Sequence, residues 1–244
     1  MAVSIDTVYQ RVLAFANKEQ RGYITPQDFN LFAGQVQMEI LEQYFYDVNQ
    51  FKRILGNQTD YSDMIKNLEE KISLFEVYDQ TAAITGANGD VNLDASFSNL
   101  YRLGMVRVNY SSSGLKVAEQ IQLNELNKYA DSPLAAWSRK RPVYTRYSAS
   151  GNDRMTIYPN PQSPQDTVRV SYIKKPYPPN WAYVVVNGKT LYNDNVSRDF
   201  ELHSSEESEL VYRILAYAGV TIQKPEITQV ASQALGSQIQ QEKQ

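Results

Sequence analysis

Gly86-Ala87-Asn88-Gly89-Asp90 is the stretch at which the pattern of this chain changes. Glycines and an Asn-Gly pair punctuate a helix, and the residues on either side obey different periods. Upstream, apolar side chains recur every three or four residues. Ile5, Val8, Val12, Phe15 and Ala16 form the stripe of an opening helix that Gly22 ends. Thr25-Pro26-Gln27-Asp28 then places a hydroxyl at an N-cap, proline at the first helical position and an acid three residues after the cap. From there Phe29, Phe32, Ala33, Val36, Ile40, Tyr44, Val48, Phe51 and Leu55 hold a helical period as far as Gly56. A third helix is expected from about Ser62 to Tyr78, with Met64, Ile65, Leu68, Ile72 and Phe75 on one face.

Downstream the residues become strand formers. Leu103-Gly104-Met105-Val106-Arg107-Val108-Asn109-Tyr110 alternates and runs into Ser111-Ser112-Ser113-Gly114, a strand and a turn. Val117 to Tyr129 reads as a short helix that Asp131-Ser132-Pro133 ends. Strands are expected at Val143 to Ser148, Arg154 to Tyr158 and Thr167 to Ile173, and at Ala182 to Val186 turning through Asn187-Gly188 into Thr190 to Tyr192. Asn-Gly between apolar runs is a hairpin signal. Helix returns with Leu210, Val211, Ile214, Leu215 and Ala218 up to Gly219, after a start that Ser204 or Ser205 can cap and that Glu206 and Glu207 complement. A last helix after Lys224-Pro225 carries a thin apolar face of Ile227, Val230, Ala231, Ala234, Leu235 and Ile239, a candidate for docking on a neighbouring subunit. The expected fold class is therefore α+β: N-terminal and C-terminal helices forming a helical bundle, residues 1–85 and 204–244, with an inserted antiparallel β domain and a short helix, residues 86–203.

The 244 residues include no cysteine and a single histidine, His203. Disulfides, thiolate zinc sites and cysteine nucleophiles are excluded, and a histidine-rich metal site has no material. No phosphate-binding glycine loop, zinc-protease motif or nucleophile elbow occurs. His203 reads as a capping-region residue, and adjacent acids such as Glu206 and Glu207 as solvated faces. Composition leans away from an enzyme, and no cofactor is expected. The chain instead holds 18 Tyr, 20 Gln and 17 Asn, a polar but weakly charged surface suited to contact with other protein. No run approaches the length of a membrane helix, and the first residues lack the features of a secretory signal, so a product soluble where it is made is expected, with no membrane partner.

The net charge of −3 hides an alternation: −7 over residues 1–100, +7 over 101–200 and −3 over 201–244. Arg139-Lys140-Arg141, followed by Tyr144, Arg146, Tyr147 and Arg154, contributes much of the basic middle. Cations interleaved with aromatics can track a phosphate backbone, and a loop closing on acidic neighbours in another subunit has the same composition. Arg139, Lys140, Arg141, Arg146 and Arg154 are therefore candidates for an interface or a DNA channel.

The stretch Leu13-Ala14-Phe15-Ala16-Asn17-Lys18-Glu19-Gln20-Arg21-Gly22-Tyr23-Ile24-Thr25-Pro26-Gln27-Asp28-Phe29-Asn30, continued by Gln35 to Ile40 and Tyr44-Phe45, resembles the N-terminal signature of structural proteins in crAss-like tailed bacteriophages. The order of helices, strands around Ile157-Tyr158-Pro159 and Val170 to Pro176, then helices, is similar to head-to-tail adaptors of the tail tubular protein A kind. That resemblance implies a virion neck or tail connector, made in the cytoplasm of a bacterial host and assembled as a homo-oligomeric ring, commonly of twelve copies. It implies the portal protein and other neck or tail rings as partners, genomic DNA in the channel, and Ile227, Val230, Ala234, Leu235 and Ile239 as residues docking on the portal. The alternative is a soluble nucleic-acid-binding or accessory phage protein using residues 139–154. DNA binding that weakens steeply with salt would distinguish it.

Overall fold

A computed structural model describes residues 3–17, 24–53, 59–85, 88–161, 165–221 and 225–242. The expected helix ends at Gly22 and Gly56, Leu55 before the second of them, and Gly86 and Ala87 of the opening stretch, lie outside the described residues. The chain is α+β and divides into two compact units, Phe75–Lys175 and a second built from Met1–Leu74 together with Pro176–Gln244. The division differs from the boundaries expected at 85/86 and 203/204. The reason on the first side is that the third helix stops at Ser73 and Glu76–Ala82 is a strand. On the other side, the segment after Pro176 packs with helices.

In the helical unit, α1 (Ile5–Asn17) buries Ile5, Val8, Tyr9, Val12 and Ala16. Phe15, expected in that stripe, is exposed, because Tyr9 together with Val12 and Ala16 already fills the inward face. α2 (Pro26–Arg53) begins as its capping chemistry requires: Thr25 Oγ1 accepts the Asp28 N–H at 3.2 Å and donates to the Asp28 carboxylate. At 28 residues α2 runs ~42 Å, and it buries Phe29, Ala33, Val36, Ile40, Leu41 and Tyr44. α3 (Thr59–Ser73) packs on α2.

The C-terminal part of this unit docks through Trp181, which is buried. Its ring lies 4.3 Å from that of Tyr9, its indole N–H donates to Asp6 at 3.0 Å, and its backbone N–H donates to Asn30 Oδ1 at 2.7 Å. Tyr183 and Tyr192 flank the same indole at the base of a two-stranded hairpin. Val3 bridges Phe200, and the Ile5 N–H reaches Asp199 at 2.9 Å. These contacts place residues 176–203 with the helices rather than with the β unit.

Among the described residues of the β unit seven strands pair in the order β1-β7-β3-β4-β5-β6-β2: β1 (Glu76–Ala82), β2 (Asp90–Asn92), β3 (Leu100–Tyr110), β4 (Gly114–Gln120), β5 (Val143–Ala149), β6 (Asn152–Tyr158) and β7 (Thr167–Lys174). Every pairing is antiparallel except the short parallel contact between β4 and β5. The sheet curls until chain just beyond β1 meets β2, where Ile84 bridges Val91 and the Thr85 N–H donates to Asp90 O at 2.6 Å. Curling protects the sheet edges and encloses one core that includes Val91, Phe97, Val106, Val108, Met155, Ile157, Val168 and Val170. A short helix, α4 (Leu93–Ser96), adds Leu93 to it.

The expected helix over Val117 to Tyr129 is instead β4, then a 3₁₀ turn and α5 (Leu126–Asp131). Val117 and Ile121 are four apart, which mimics a helical face, but the Ser111–Gly114 turn returns the chain onto β3 with Tyr110 opposite Gly114. Gly114 has φ 69° at that turn, a left-handed conformation that glycine adopts without steric cost. β1, which begins within the span expected as the third helix, contains Asp79 at φ 57°, at an irregularity in the pairing with β7. Its carboxylate accepts from Arg107 at 2.6 Å and Arg169 at 2.7 Å.

β3 passes β7 so closely at Gly104 that a Cβ there would stand 2.7 Å from the Ser171 carbonyl oxygen. Gly104→Ala is expected to cost about 1–3 kcal/mol of stability. Urea denaturation of the variant against the parent measures it.

Candidate functional site

Strand parity decides the fate of the basic segment. On β5 and β6, Tyr144, Met155 and Ile157 point into the core, so Arg146 and Asp153 share the core-side parity while Arg154 takes the opposite one. Arg146 forks onto Asp153 through Nε at 3.0 and 2.9 Å and also through Nη2. That hydrogen bond raises the Arg146 pKa further. Arg139, Lys140 and Arg141 lie in the turn closed by the Ser138–Arg141 bridge that precedes β5. Arg139 donates to Ser112 at 2.9 Å and sits 6.0 Å over the Tyr110 ring. Arg141 faces Glu119 at 3.5 Å. The five cations therefore occupy a turn and two faces of the sheet, with two of them opposite carboxylates. The +7 of residues 101–200 also shrinks within the folded unit, since residues 75–175 hold 12 basic and 9 acidic side chains.

The last helix is present as α7 (Pro225–Glu242) and packs along α6 (Glu207–Thr221). Ala231 is buried, Ala234 and Leu235 are half-buried, and Val230 is exposed. Ala231, rather than Val230, thus marks the inward line of α7. The side chains of Ile227 and Ile239 lie outside the described set.

A further exposed surface is the hairpin of β8 (Tyr183–Val186) and β9 (Lys189–Tyr192), a sheet of its own. Asn187 and Gly188 both have positive φ, 52° and 76°, as a two-residue hairpin turn demands. Val184, Val185, Val186 and Leu191 are all exposed, at 48%, 60%, 46% and 52%. A two-stranded hairpin is marginal by itself; Val184, Val186 and Leu191 share one face of it, with Val185 on the other, and exposed aliphatic side chains grouped in this way mark a contact surface.

The second feature is an ion-pair network in the helical unit. Glu206 is fully buried, and its Oε1 lies 2.5 Å from Lys71 Nζ and accepts from Ser205 Oγ at 3.0 Å. Glu209 is paired with Arg213, which also donates to Gln43. Adjacent acids expected on solvated faces thus separate: Glu206 goes inward to Lys71, while Glu207 pairs with Arg11 at 2.9 Å. His203 is the N-cap of the 3₁₀ turn that precedes α6, its Nδ1 accepting from the Ser205 N–H at 3.3 Å. It caps in place of Ser204 or Ser205. A cleft of about 400 Å³ opens beside this network, with Phe51, Met64 and Leu68 on its apolar side and Asp47, Lys71 and His203 on its polar side. Burial resists ionisation of Glu206, but the Lys71 ammonium prevails and holds its pKa down. Burial pushes Glu209 up to about 7 against the opposing pull of Arg213. The arrangement fastens α3 to the start of α6. Among the described residues no group of three or more His, Asp or Glu is placed to hold a metal ion, and no helix is long and apolar enough to cross a membrane.

Compared with known protein families and with curated proteins, the sequence matches none of the family models and none of the curated sequences.

Removing the cation from Glu206 leaves a carboxylate buried without compensation, so Lys71→Met is expected to destabilise the protein by about 3 kcal/mol, read from denaturation midpoints. Glu209 carries the opposite pH signature. Between its ordinary value of 4.5 and about 7 the folded protein holds a proton that the unfolded chain has released. Its contribution is complete below pH 4.5 and is lost as pH rises through about 7. Glu209→Gln is therefore expected to gain stability relative to the parent across that interval, and a constant difference in a denaturation series would contradict the assignment.

Proposed function

We propose that this chain is a structural subunit of a tailed-phage neck, a head-to-tail connector that works by surface contact within a ring of identical copies. The observation that carries the reading is the β8–β9 hairpin, whose exposed valines and leucine extend from a base anchored by Trp181. A rigidly based apolar arm on one side of a subunit, received by a different patch on the next copy, is a heterologous contact, and heterologous contacts that close generate rings. The resemblance carried by Leu13 to Asn30 supplies the kind of assembly. The division of the chain supports it, since helices from both ends make one unit and a β unit interrupts them in sequence. In this reading the portal and adjoining neck rings are the partners, and the exposed edge of α7 at Val230 faces one of them. The distribution of Arg139, Arg141, Arg146 and Arg154 over a turn and two sheet faces favours protein contact over a continuous track for DNA.

Native mass spectrometry and electron microscopy of the purified chain test the proposal. A closed cyclic oligomer is expected, with twelve copies as the expected number. Val184→Asp in the hairpin is expected to shift it to monomer while leaving the melting temperature unchanged, because that side chain is already 48% exposed. A monomer under all conditions that is also absent from purified virions would refute the reading. So would salt-sensitive DNA binding abolished by Arg139→Glu with Arg141→Glu, if no oligomer forms.

A further inference from the structure

The network between α3 and the start of α6 is set among more acids than cations. Glu206 and Glu209 stand three residues apart where the 3₁₀ turn runs into α6, and both are buried. Their carboxyl groups lie within hydrogen-bond reach of each other. Lys71 serves Glu206 from α3, and Arg213 serves Glu209 within α6. Arg213 is also 3.9 Å from Glu39 of α2, while Asp47, buried on the same helix, lines the cleft with Lys71 and Glu70. Arg11 of α1 is taken by Glu207. His203 hydrogen-bonds Ser205, whose hydroxyl donates to Glu206, and the described side chains of α7 include no ionisable group. Two cations, Lys71 and Arg213, are therefore set against Glu206, Glu209, Glu39 and Asp47.

The individual oxygens show where the imbalance is met. Lys71 and the Ser205 hydroxyl both reach Glu206 Oε1, at 2.5 and 3.0 Å. Glu206 Oε2, equally buried, accepts from no N–H or hydroxyl among the described residues. Both contacts of Arg213 on Glu209 fall on its Oε1, which leaves Oε2 to carry a proton. A carboxylic acid at Glu209 is the donor that Glu206 Oε2 lacks, and two carboxyl groups in contact resist ionising together. The rise of Glu209 to about 7 agrees with that geometry. α3 has little else to fasten it. Among its described side chains only Ile72 is buried, with Met64, Ile65 and Leu68 half-buried, and the Lys71 ammonium lies 5.6 Å over the ring of the buried Tyr44.

We infer that Glu206 and Glu209 share one proton, and that this proton latches α3 to the start of α6, so that α3 opens locally as the pH rises. With the proton in place Glu206 is fully hydrogen-bonded and presents one compensated charge to Lys71. Without it two adjacent carboxylates repel each other in a water-poor site, and opening of α3 relieves them by admitting water. An open α3 returns Glu209 to its ordinary value of 4.5, so opening releases a proton between pH 4.5 and about 7 and becomes easier through that interval. The lowered pKa of Glu206 acts in the opposite sense, and only below 4.5. Opening also bares the Tyr44 ring that the Lys71 ammonium covers. The latch lies within the helical unit and does not depend on the ring reading.

Amide hydrogen exchange of the full chain at about pH 5 and about pH 8, expressed as protection relative to the intrinsic rate at each pH, tests the latch. Protection from Met64 to Ile72 is expected to fall roughly tenfold or more between the two conditions. Protection of the β unit at Val106, Val108, Val168 and Val170 is expected to stay the same. Glu209→Gln, whose amide gives Glu206 a permanent N–H donor and leaves Arg213 an acceptor, is expected to abolish the fall. His203→Asn, which removes the imidazole and keeps an acceptor at the cap, is expected to retain it. Side-chain carboxyl NMR of the glutamate-labelled chain is expected to show a group titrating near neutrality that Glu209→Gln removes. The inference is overturned if α3 is equally protected at both pH values, if Glu209→Gln retains the fall, or if His203→Asn abolishes it. It is also overturned if every helix of the unit loses protection equally, which marks unfolding of the whole unit, or if no carboxyl titrates near neutrality.

Discussion

A single buried amide holds the two ends of this chain together. Gln37, in the middle of α2, is almost fully buried. Its Nε2 donates to the Tyr177 carbonyl at 2.8 Å, and its Oε1 accepts from the Glu201 N–H at 3.1 Å. Both partners lie more than a hundred residues away and flank the segment that carries Trp181 and the hairpin. Losing either hydrogen bond would leave a buried polar group without a partner, at about 1–3 kcal/mol each. Without the C-terminal segment, α1 and α2 would have neither the Trp181 indole nor the Phe200 strand bridge to close their apolar faces. The helical unit is thus a product of residues from both ends of the chain, and the β unit must leave and return within it. That is geometrically simple for the β unit, since its first and last strands, β1 and β7, are paired and the Lys174 N–H donates to Phe75 O at 2.8 Å.

Charge follows the same logic. The alternation of sign along the sequence suggests surfaces of opposite character, but folding uses much of that charge internally. Asp79 takes two arginines, Arg107 and Arg169, from β3 and β7. Glu206 takes Lys71, and Arg213 gathers Glu209 and Gln43. Burying one of these charges without its partner would cost several kcal/mol, so the pairs specify which elements meet. The hairpin is among the surfaces that remain outward and apolar, with Val184, Val185, Val186 and Leu191 exposed on its two short strands.

Much of the fold was legible in the sequence, and the reasons are local. Thr25, Pro26 and Asp28 announced the start of α2 because capping chemistry involves only a few neighbouring residues. Asn187-Gly188 announced its hairpin because the required positive φ is affordable at those residue types. The failures are equally specific. Phe75 fits the stripe of α3, so the spacing predicts helix as far as Tyr78, where a strand begins at Glu76. Val117 and Ile121 fit a helical spacing, which predicts helix where β4 forms. In both cases a strand is decided by a partner far along the chain, β7 for one and the returning β3 hairpin for the other. The candidate sites show the same division. Arg146 and Arg154 are close in sequence and similar in chemistry, yet strand parity sends them to opposite faces.

The sequence by itself determined the α+β class, the capped long helix, the Asn-Gly hairpin and the lack of thiol chemistry, because each follows from residue type or from spacing within a few turns. Tertiary structure alone decided where one unit ends and the other begins, which acids are buried and which cations are paired. It also decided that Thr145 and Thr156 are buried. These outcomes depend on which distant segments lie side by side, and a strand or a charge acquires its environment only when its partner arrives.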